Sequence, residues 1–420
     1  MKSITYQGSR MLYISIIFCN FAAEMKRLLV LSLLFIAQTF GFLAFSGDVP
    51  VEVSLLTCSP GTRSYELYGH TALRVKHRTG LDLVYNYGVF DFTRPAFTWH
   101  FILGECDYMV MPFRYDLFRD EYKKRGSGII SQRLNLTPQE TSRLVALLDE
   151  NCKPENMVYR YDFYRNNCTT KVRDIIEQAV DGEIAYSRLS GHLFYHRYET
   201  YREMIHHYTQ NSKWCEVGQD LLLGCHSDTA LSPRAMLFLP DCLHDAFAGA
   251  EIRSDQSDTR PLVLVEETEL EKGVQINTPG FSLTPLQCAV IFFAVMLVIL
   301  ALESFFACQF WPVDALLMTV QGLAGVLLCF LFLFSKHPTL DSNFQIWLFN
   351  PLPLIGMYFV IPAARKGKRT LWHGLNFAWL FFFILFIPWV PQDYAAGVFP
   401  VALALMTRPV SYFLAYRRDE

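Results

Sequence analysis

At 420 residues, with 52% hydrophobic, 15% aromatic and only 18% charged side chains, the chain is more apolar than an ordinary globular protein and has room for more than one domain. Its formal net charge of −3 comes without a basic stripe or an Arg/Lys-rich arm, which excludes a surface built to track nucleic acid. The apolar excess is uneven: Gly47 to Thr284 is a soluble mixture, whereas from Pro285 onward long apolar runs dominate.

In chain order, Met25-Lys26-Arg27 precedes an apolar core, Leu28 to Phe45, that ends in the small residues Ala44 and Ser46, the layout of a secretory signal. The stretch from Met1 to Glu24 is expected to be an over-long start, with Met25 the true one. The core's length suits either a cleaved signal or a retained anchor; in both cases Gly47 onward is exported. The expected organisation is a leader over 1–46, an exported domain over 47–250, a linker over 251–284 and a membrane domain over 285–420.

Three runs rich in β-branched and aromatic residues, Val51 to Leu56, Thr71 to Val75 and Leu83 to Phe92, are separated by Pro/Gly turns and predict strands of one antiparallel sheet. Thr137-Pro138-Gln139-Glu140 predicts a helix start with an N-cap Thr, a first-turn Pro and a capping-box Glu. A second helix is predicted from Asn167-Cys168-Thr169-Thr170, with Asn167 as the N-cap, Cys168 at the first helical position and Val172, Ile175 and Ile176 at helical spacing.

Cys168 then lies in the first turn, where the helix dipole and free N–H groups favour a thiolate, and neighbouring N–H groups can serve an oxyanion. The alternative is a small buried apolar residue. A thiol nucleophile needs a base, and His70, at the start of a strand, is the candidate. Asn86, one hairpin away, is the candidate to orient the imidazole; a cross-strand polar pair is the competing interpretation. Tyr68, Arg74 and Asn167 are candidates for lining the substrate site. For Arg74, with Asp162 and Arg165, the choice is between a buried ion pair and contact with a phosphate. His206-His207 lacks Cys or carboxylate partners at ligand spacing, so no metal site is expected.

Of 11 cysteines, seven fall in the exported domain, and an odd number leaves at least one free thiol in an oxidising compartment. Cys215 and Cys225 are near enough in sequence to close a small loop, but their pairing is open.

Five segments are long enough to cross a bilayer: Pro285 to Ala307, Val313 to Phe334, Phe344 to Ala363, Leu371 to Val390 and Ala395 to Ala415, the last interrupted by Arg408 and Pro409. Arg365, Lys366, Lys368 and Arg369 follow the third span, and Arg417 and Arg418 follow the fifth, which makes those ends cytoplasmic and places the exported domain outside. Between the second and third spans, His337 and Asn350 lie in a Pro-broken polar stretch. They either cap and kink the helix or face the active site or a lipid headgroup.

Tyr68-Gly-His-Thr-Ala-Leu-Arg-Val, Asn86-Tyr-Gly-Val-Phe-Asp-Phe, Gln132-Arg-Leu-Asn-Leu-Thr, Tyr161-Asp-Phe-Tyr-Arg-Asn-Asn-Cys-Thr-Thr-Lys-Val-Arg-Asp and Trp214 through Gly224 occur in that order with the spans behind them. Together they resemble the Lnb family, from about Ser54 to the last span. The resemblance implies an α+β, permuted papain-like (NlpC-like) thiol domain with an antiparallel sheet, akin also to the lecithin:retinol acyltransferase group, followed by an α-helical membrane bundle of about five spans. It further implies N-acylation of bacterial lipoproteins at the inner membrane, with the catalytic domain periplasmic, a phospholipid as acyl donor, a lipoprotein as acceptor and no cofactor. Cys168 would be the acylated nucleophile and His70 the base; Asn86 rests on topology alone. Two rivals are a cysteine peptidase or amidase acting on peptidoglycan peptides, which would not need five spans, and a lipid-binding scaffold without catalysis.

Overall fold

The computed structural model describes residues 51–90, 96–186, 199–254, 259–275 and 281–415. The expected leader and the pair Arg417 and Arg418 lie outside them.

The exported part is built on strands β1 (Val51–Cys58), β2 (His70–His77) and β3 (Asp82–Val89), helix α1 (Phe97–Ile102), β4 (Asp107–Arg114), α2 (Tyr115–Arg125), β5 (Ile129–Leu134), α3 (Pro138–Asn151), β6 (Val158–Arg160), α4 (Cys168–Ala179) and β7 (Glu183–Tyr186). Helices α5 (Tyr201–Thr209), α6 (Lys213–Asp220) and α7 (Pro240–Ala248) follow, then β8 (Ala250–Arg253), β9 (Thr259–Pro261) and β10 (Val263–Leu270). Seven strands form one sheet in the order β10-β5-β1-β2-β3-β4-β6, and β7-β8-β9 form a second. The pairings described within both are antiparallel. The three predicted strands are therefore neighbours at the centre of the larger sheet.

Alternation of side chains along each strand divides the core. Val53, Leu55, Leu73, Val75, Tyr85 and Tyr87 point to one face and bury Leu144 and Leu148 of α3, Val172, Ile175 and Ile176 of α4, and Phe247 of α7. Leu56, Cys58, Ala72 and Val84 point to the other and bury Tyr115, Phe118 and Tyr122 of α2. The predicted capping box is present: Thr137 Oγ1 accepts from Glu140 N at 3.2 Å, and Glu140 Oε2 accepts from Thr137 N at 2.7 Å.

Part of the expected linker over 251–284 is folded, because β10 pairs with β5 at the edge of the main sheet. Its largely exposed sequence, Val-Leu-Val-Glu-Glu-Thr-Glu-Leu, is that of an edge strand with charged residues toward water, which hides it from a search for buried strands.

The membrane part comprises α8 (Pro285–Phe306), α9 (Trp311–Phe334), α10 (Leu352–Ala364), α11 (Leu371–Phe386) and α12 (Val398–Ala415). The first four, counting α10 with its preceding turn from Phe344 and α11 through Trp389, are long and apolar enough to span a bilayer; α12 is a shorter apolar helix. Arg408, which interrupts that last run, is buried and bonded to Glu303 at 2.8 Å and Asp314 at 2.7 Å. Pairing with carboxylates on neighbouring spans is what allows a guanidinium inside the bundle.

Candidate active site

Cys168 begins α4 because Asn167 caps the helix so completely. Asn167 Oδ1 accepts from Thr169 N and Thr170 N, both at 2.9 Å, and Thr170 Oγ1 accepts from Asn167 N at 2.9 Å. Asn167 Nδ2 donates to Phe163 O and Phe238 O, both at 2.8 Å. These bonds correct two expectations. Asn167, being buried with every amide bond used internally, is a scaffold for the nucleophile and not a substrate contact. The N–H groups of Thr169 and Thr170 serve the cap, so the first-turn donor left for an oxyanion is that of Cys168 itself, which has no partner among the described residues.

β2 brings the base. His70 Nε2 lies 2.6 Å from Asn86 Oδ1 on the adjacent strand, and the Tyr122 ring stacks over the imidazole, centroids 6.5 Å apart. His70 also lies near enough to Cys168 for each to shift the other's protonation; with Nε2 held by Asn86, Nδ1 is the nitrogen left to exchange a proton with the thiol. Gly88 is where the two meet. A β-bulge follows Tyr87 in the pairing of β3 with β4, Gly88 has φ +107°, and a Cβ there would sit 3.7 Å from His70 Cε1 and 3.9 Å from Cys168 Cβ. Bulges of this kind re-aim side chains beside active sites.

The electrostatics favour a thiolate-imidazolium pair. Burial pushes the Cys168 thiol up, but the charge and hydrogen bond of His70, helped by the Thr71 N–H and the Thr169 hydroxyl, bring it down to about 7. Burial likewise disfavours the His70 imidazolium, yet Cys168 and the Asn86 bond raise it above the ordinary histidine value. An Asn on the far nitrogen fixes the tautomer and steadies the charge, as the third member of a triad does. Thr71, whose Oγ1 is 3.1 Å from Thr169 Oγ1, ties the two elements together. Sequence reasoning missed Thr71, Gly88 and Tyr122 as site residues; the first two lie within the quoted motifs, but α2, which carries Tyr122, has no motif.

The other candidates disperse. Arg74 lies four residues along β2 from His70, bonded bidentately to Asp82 at 2.8 and 2.7 Å and to Glu269 at 2.6 Å, with its guanidinium 3.5 Å from the Tyr115 ring centroid. Its donors are taken by the scaffold, so of its two expected roles Arg74 fills the ion pair, with Asp82 and Glu269 as partners in place of Asp162. Tyr68 donates to Gln219 at 2.8 Å and packs on Phe163 and Tyr208, linking the turn ahead of His70 to α6. Asn350 caps α10, donating to Trp347 O and accepting from Leu352 N, both at 3.1 Å; it acts as the cap that was one of its two expected roles. His337 is on the site's side of the membrane domain: its Nε2 bonds Phe101 O at 2.5 Å, and it feels the charge of Asp162 in the turn before Cys168. Cys215 and Cys225 are both free thiols.

The thiol domain sits directly on the outer ends of the spans. Lys336 N donates to Leu103 O at 2.8 Å, Asn343 Nδ2 to Leu221 O at 2.9 Å, Gln345 Nε2 to Asp220 O at 2.6 Å and Trp214 Nε1 to Leu283 O at 2.9 Å. Gly104 and Gly224 permit this approach, since a Cβ on either would collide with backbone of residues 336–342.

Fold and site thus describe a membrane protein with an outward-facing α+β domain that carries a half-buried Cys-His-Asn constellation and docks on its own bundle. Residues 49–210 match the family model described as the Lnb N-terminal periplasmic domain, and residues 276–419 match the Lnb transmembrane domain. The chain belongs to the Lnb family, and is accordingly a lipoprotein-modifying membrane enzyme with a periplasmic domain. No curated protein and no solved structure matches it.

Proposed function

We propose that this protein is a thiol-dependent lipoprotein N-acyltransferase of the bacterial inner membrane, with Cys168 as the acyl carrier, His70 as acid and base, and Asn86 as the orienting group. The observation that carries the proposal is the grouping of Cys168, His70 and Asn86, in which Asn86 Oδ1 holds His70 Nε2 at 2.6 Å and His70 brings the Cys168 thiol down to about 7.

In the first half-reaction the Cys168 thiolate adds to an ester carbonyl of a phospholipid, and the Cys168 N–H faces the developing oxyanion. Collapse breaks the ester C–O bond; His70 gives its proton to the departing alkoxide, leaving a lysophospholipid and a Cys168 thioester. In the second, the α-amine of a lipoprotein's N-terminal lipidated cysteine adds to the thioester. His70 takes the amine proton, the C–S bond breaks, and the acyl chain leaves as an amide. A thioester suits this sequence because it yields far more readily to an amine than an ester does. Both substrates are held in the bilayer, which accounts for a bundle that a soluble peptidoglycan amidase would not need.

The test is reconstitution of the full chain with phospholipid and a diacylated lipopeptide, followed by mass measurement. The expected result is one added acyl chain on the lipopeptide and an acyl adduct on Cys168, both lost in Cys168→Ala. Full activity of Cys168→Ala, or hydrolysis of muropeptides without lipopeptide acylation, refutes the proposal.

A further inference from the structure

Helix α1 connects β3, which carries Asn86 and Gly88, to β4, and it exposes large aromatic residues where a soluble domain would present polar ones. Trp99 is 52% exposed and Phe101 is 48% exposed. The Trp99 ring lies 5.5 Å from that of Phe330 on α9, and Phe330 lies 5.2 Å from Phe334. Ser335 Oγ donates to Ile102 O at 2.9 Å, so the end of α1 is fastened to the top of the span.

These contacts set a depth. The 24 residues of α9 extend about 36 Å against about 30 Å of hydrocarbon, which leaves about 3 Å of helix beyond each boundary. Phe330 is four residues, about 6 Å, below the end of α9, and Trp99 beside it is therefore about 3 Å inside the acyl region. Polar groups occupy the level above. Glu105 accepts from Lys336 Nζ at 2.9 Å and bonds His100 Nδ1 at 3.0 Å, the arrangement expected at headgroup height. Exposed Leu333 and Phe334 continue the aromatic face onto the lipid-facing side of α9.

We infer that α1 is an interfacial helix that lies in the outer leaflet with Trp99 among phospholipid chains and Phe101, packed on His337 with ring centroids 5.4 Å apart, at the headgroup level above, forming the lip over which a lipid passes to Cys168. Continuity with α9 identifies the occupant of this face as the bilayer in which the spans sit. The connection to the thiol is short. Tyr108, just after α1, stacks on Tyr161 at 4.2 Å, and Tyr161 N donates to Cys106 O at 2.8 Å, so lip and nucleophile turn share one aromatic wall. The passage of lipid to Cys168 rests on the proposed acyl transfer; the insertion of α1 does not.

Benzoylphenylalanine is placed at position 99, and separately at 101, in the full chain reconstituted in phosphatidylethanolamine/phosphatidylglycerol nanodiscs, with position 323 on α9 and position 65 in the exported domain as references. Leu323 and Tyr65 are comparably exposed, at 57% and 55%. On irradiation, positions 99 and 101 are expected to gain the mass of one phospholipid, as 323 does, while 65 does not. Positions 99 and 101 behaving like 65 overturns the inference whether or not the enzyme transfers acyl chains. Trp99→Glu is expected to slow acylation of Cys168 from vesicle phospholipid about tenfold or more. An unchanged rate, with lipid adducts still formed at 99, removes the role as a lip and leaves the insertion standing.

Discussion

Replacing Asn86 by Ala removes the acceptor 2.6 Å from His70 Nε2 and nothing else that touches the sulfur. A hydrogen bond to a charged group contributes about 1.5–3 kcal/mol, and the imidazolium is the partner that holds Cys168 as a thiolate. At about 1.4 kcal/mol per pKa unit, the Cys168 midpoint should rise by about one to two units, and acyl transfer at neutral pH should fall about 5- to 50-fold with the thiolate fraction. The sign follows from the ion pair: the thiol's value is depressed by a cation, and weakening the cation lets it move back toward an ordinary thiol's. The assay is the rate of Cys168 carboxamidomethylation against pH, followed by peptide mass mapping because other thiols are free, together with lipopeptide acylation. Asn86→Asp, which keeps an acceptor, should restore most of the rate. An Asn86→Ala midpoint still near 7, with acylation within about twofold of the parent, refutes the assignment of Asn86 as the orienting group.

Two further substitutions separate scaffold from site. Arg74→Ala should destabilise the exported domain by about 2 kcal/mol, below the 3–5 kcal/mol of a fully buried pair, since the Asp82 and Glu269 side chains are 25% and 23% exposed; urea denaturation should show the loss while KM for donor and acceptor stays unchanged. Arg202, 1% exposed and bonded to Asp220 at 2.9 Å and Asp228 at 2.6 Å, is the staple of α5 and α6, and Arg202→Ala should cost about 3 kcal/mol, the low end for a broken buried pair, because Asp220 keeps His206 at 2.9 Å and Asp228 keeps the Asp393 N–H. Since Gln345 and Asp393 of the membrane domain donate to Asp220 O and Asp228 Oδ2, limited proteolysis of that variant should cut between 199 and 228 while the parent resists.

What could be seen in the linear chain was whatever short-range chemistry controls. Cys168 at the first turn of α4, the cap at Asn167, the capping box at Thr137 and four apolar spans all depend on neighbours within a few residues, and hydropathy or helix-end chemistry suffices to find them. The pairing of His70 with Asn86 was within reach because one hairpin separates them and both occupy a motif. What lay beyond reach depended on partners far away in sequence. Arg74 was open between an ion pair and a phosphate contact until Glu269, 195 residues on, occupied it; Asn167 looked available to substrate until Phe238 O took its amide; and β10 looked like a linker until β5 paired with it.

The sequence by itself determined that a thiol with an imidazole available would face outward from a membrane-embedded chain. Only the tertiary structure decided which ring nitrogen Asn86 holds, which donor is left for an oxyanion and how the exported domain docks on the spans. The reason is physical: charge, apolarity and helix-end preference are properties of short segments, whereas the partner of a buried polar atom is chosen by strand register and domain docking.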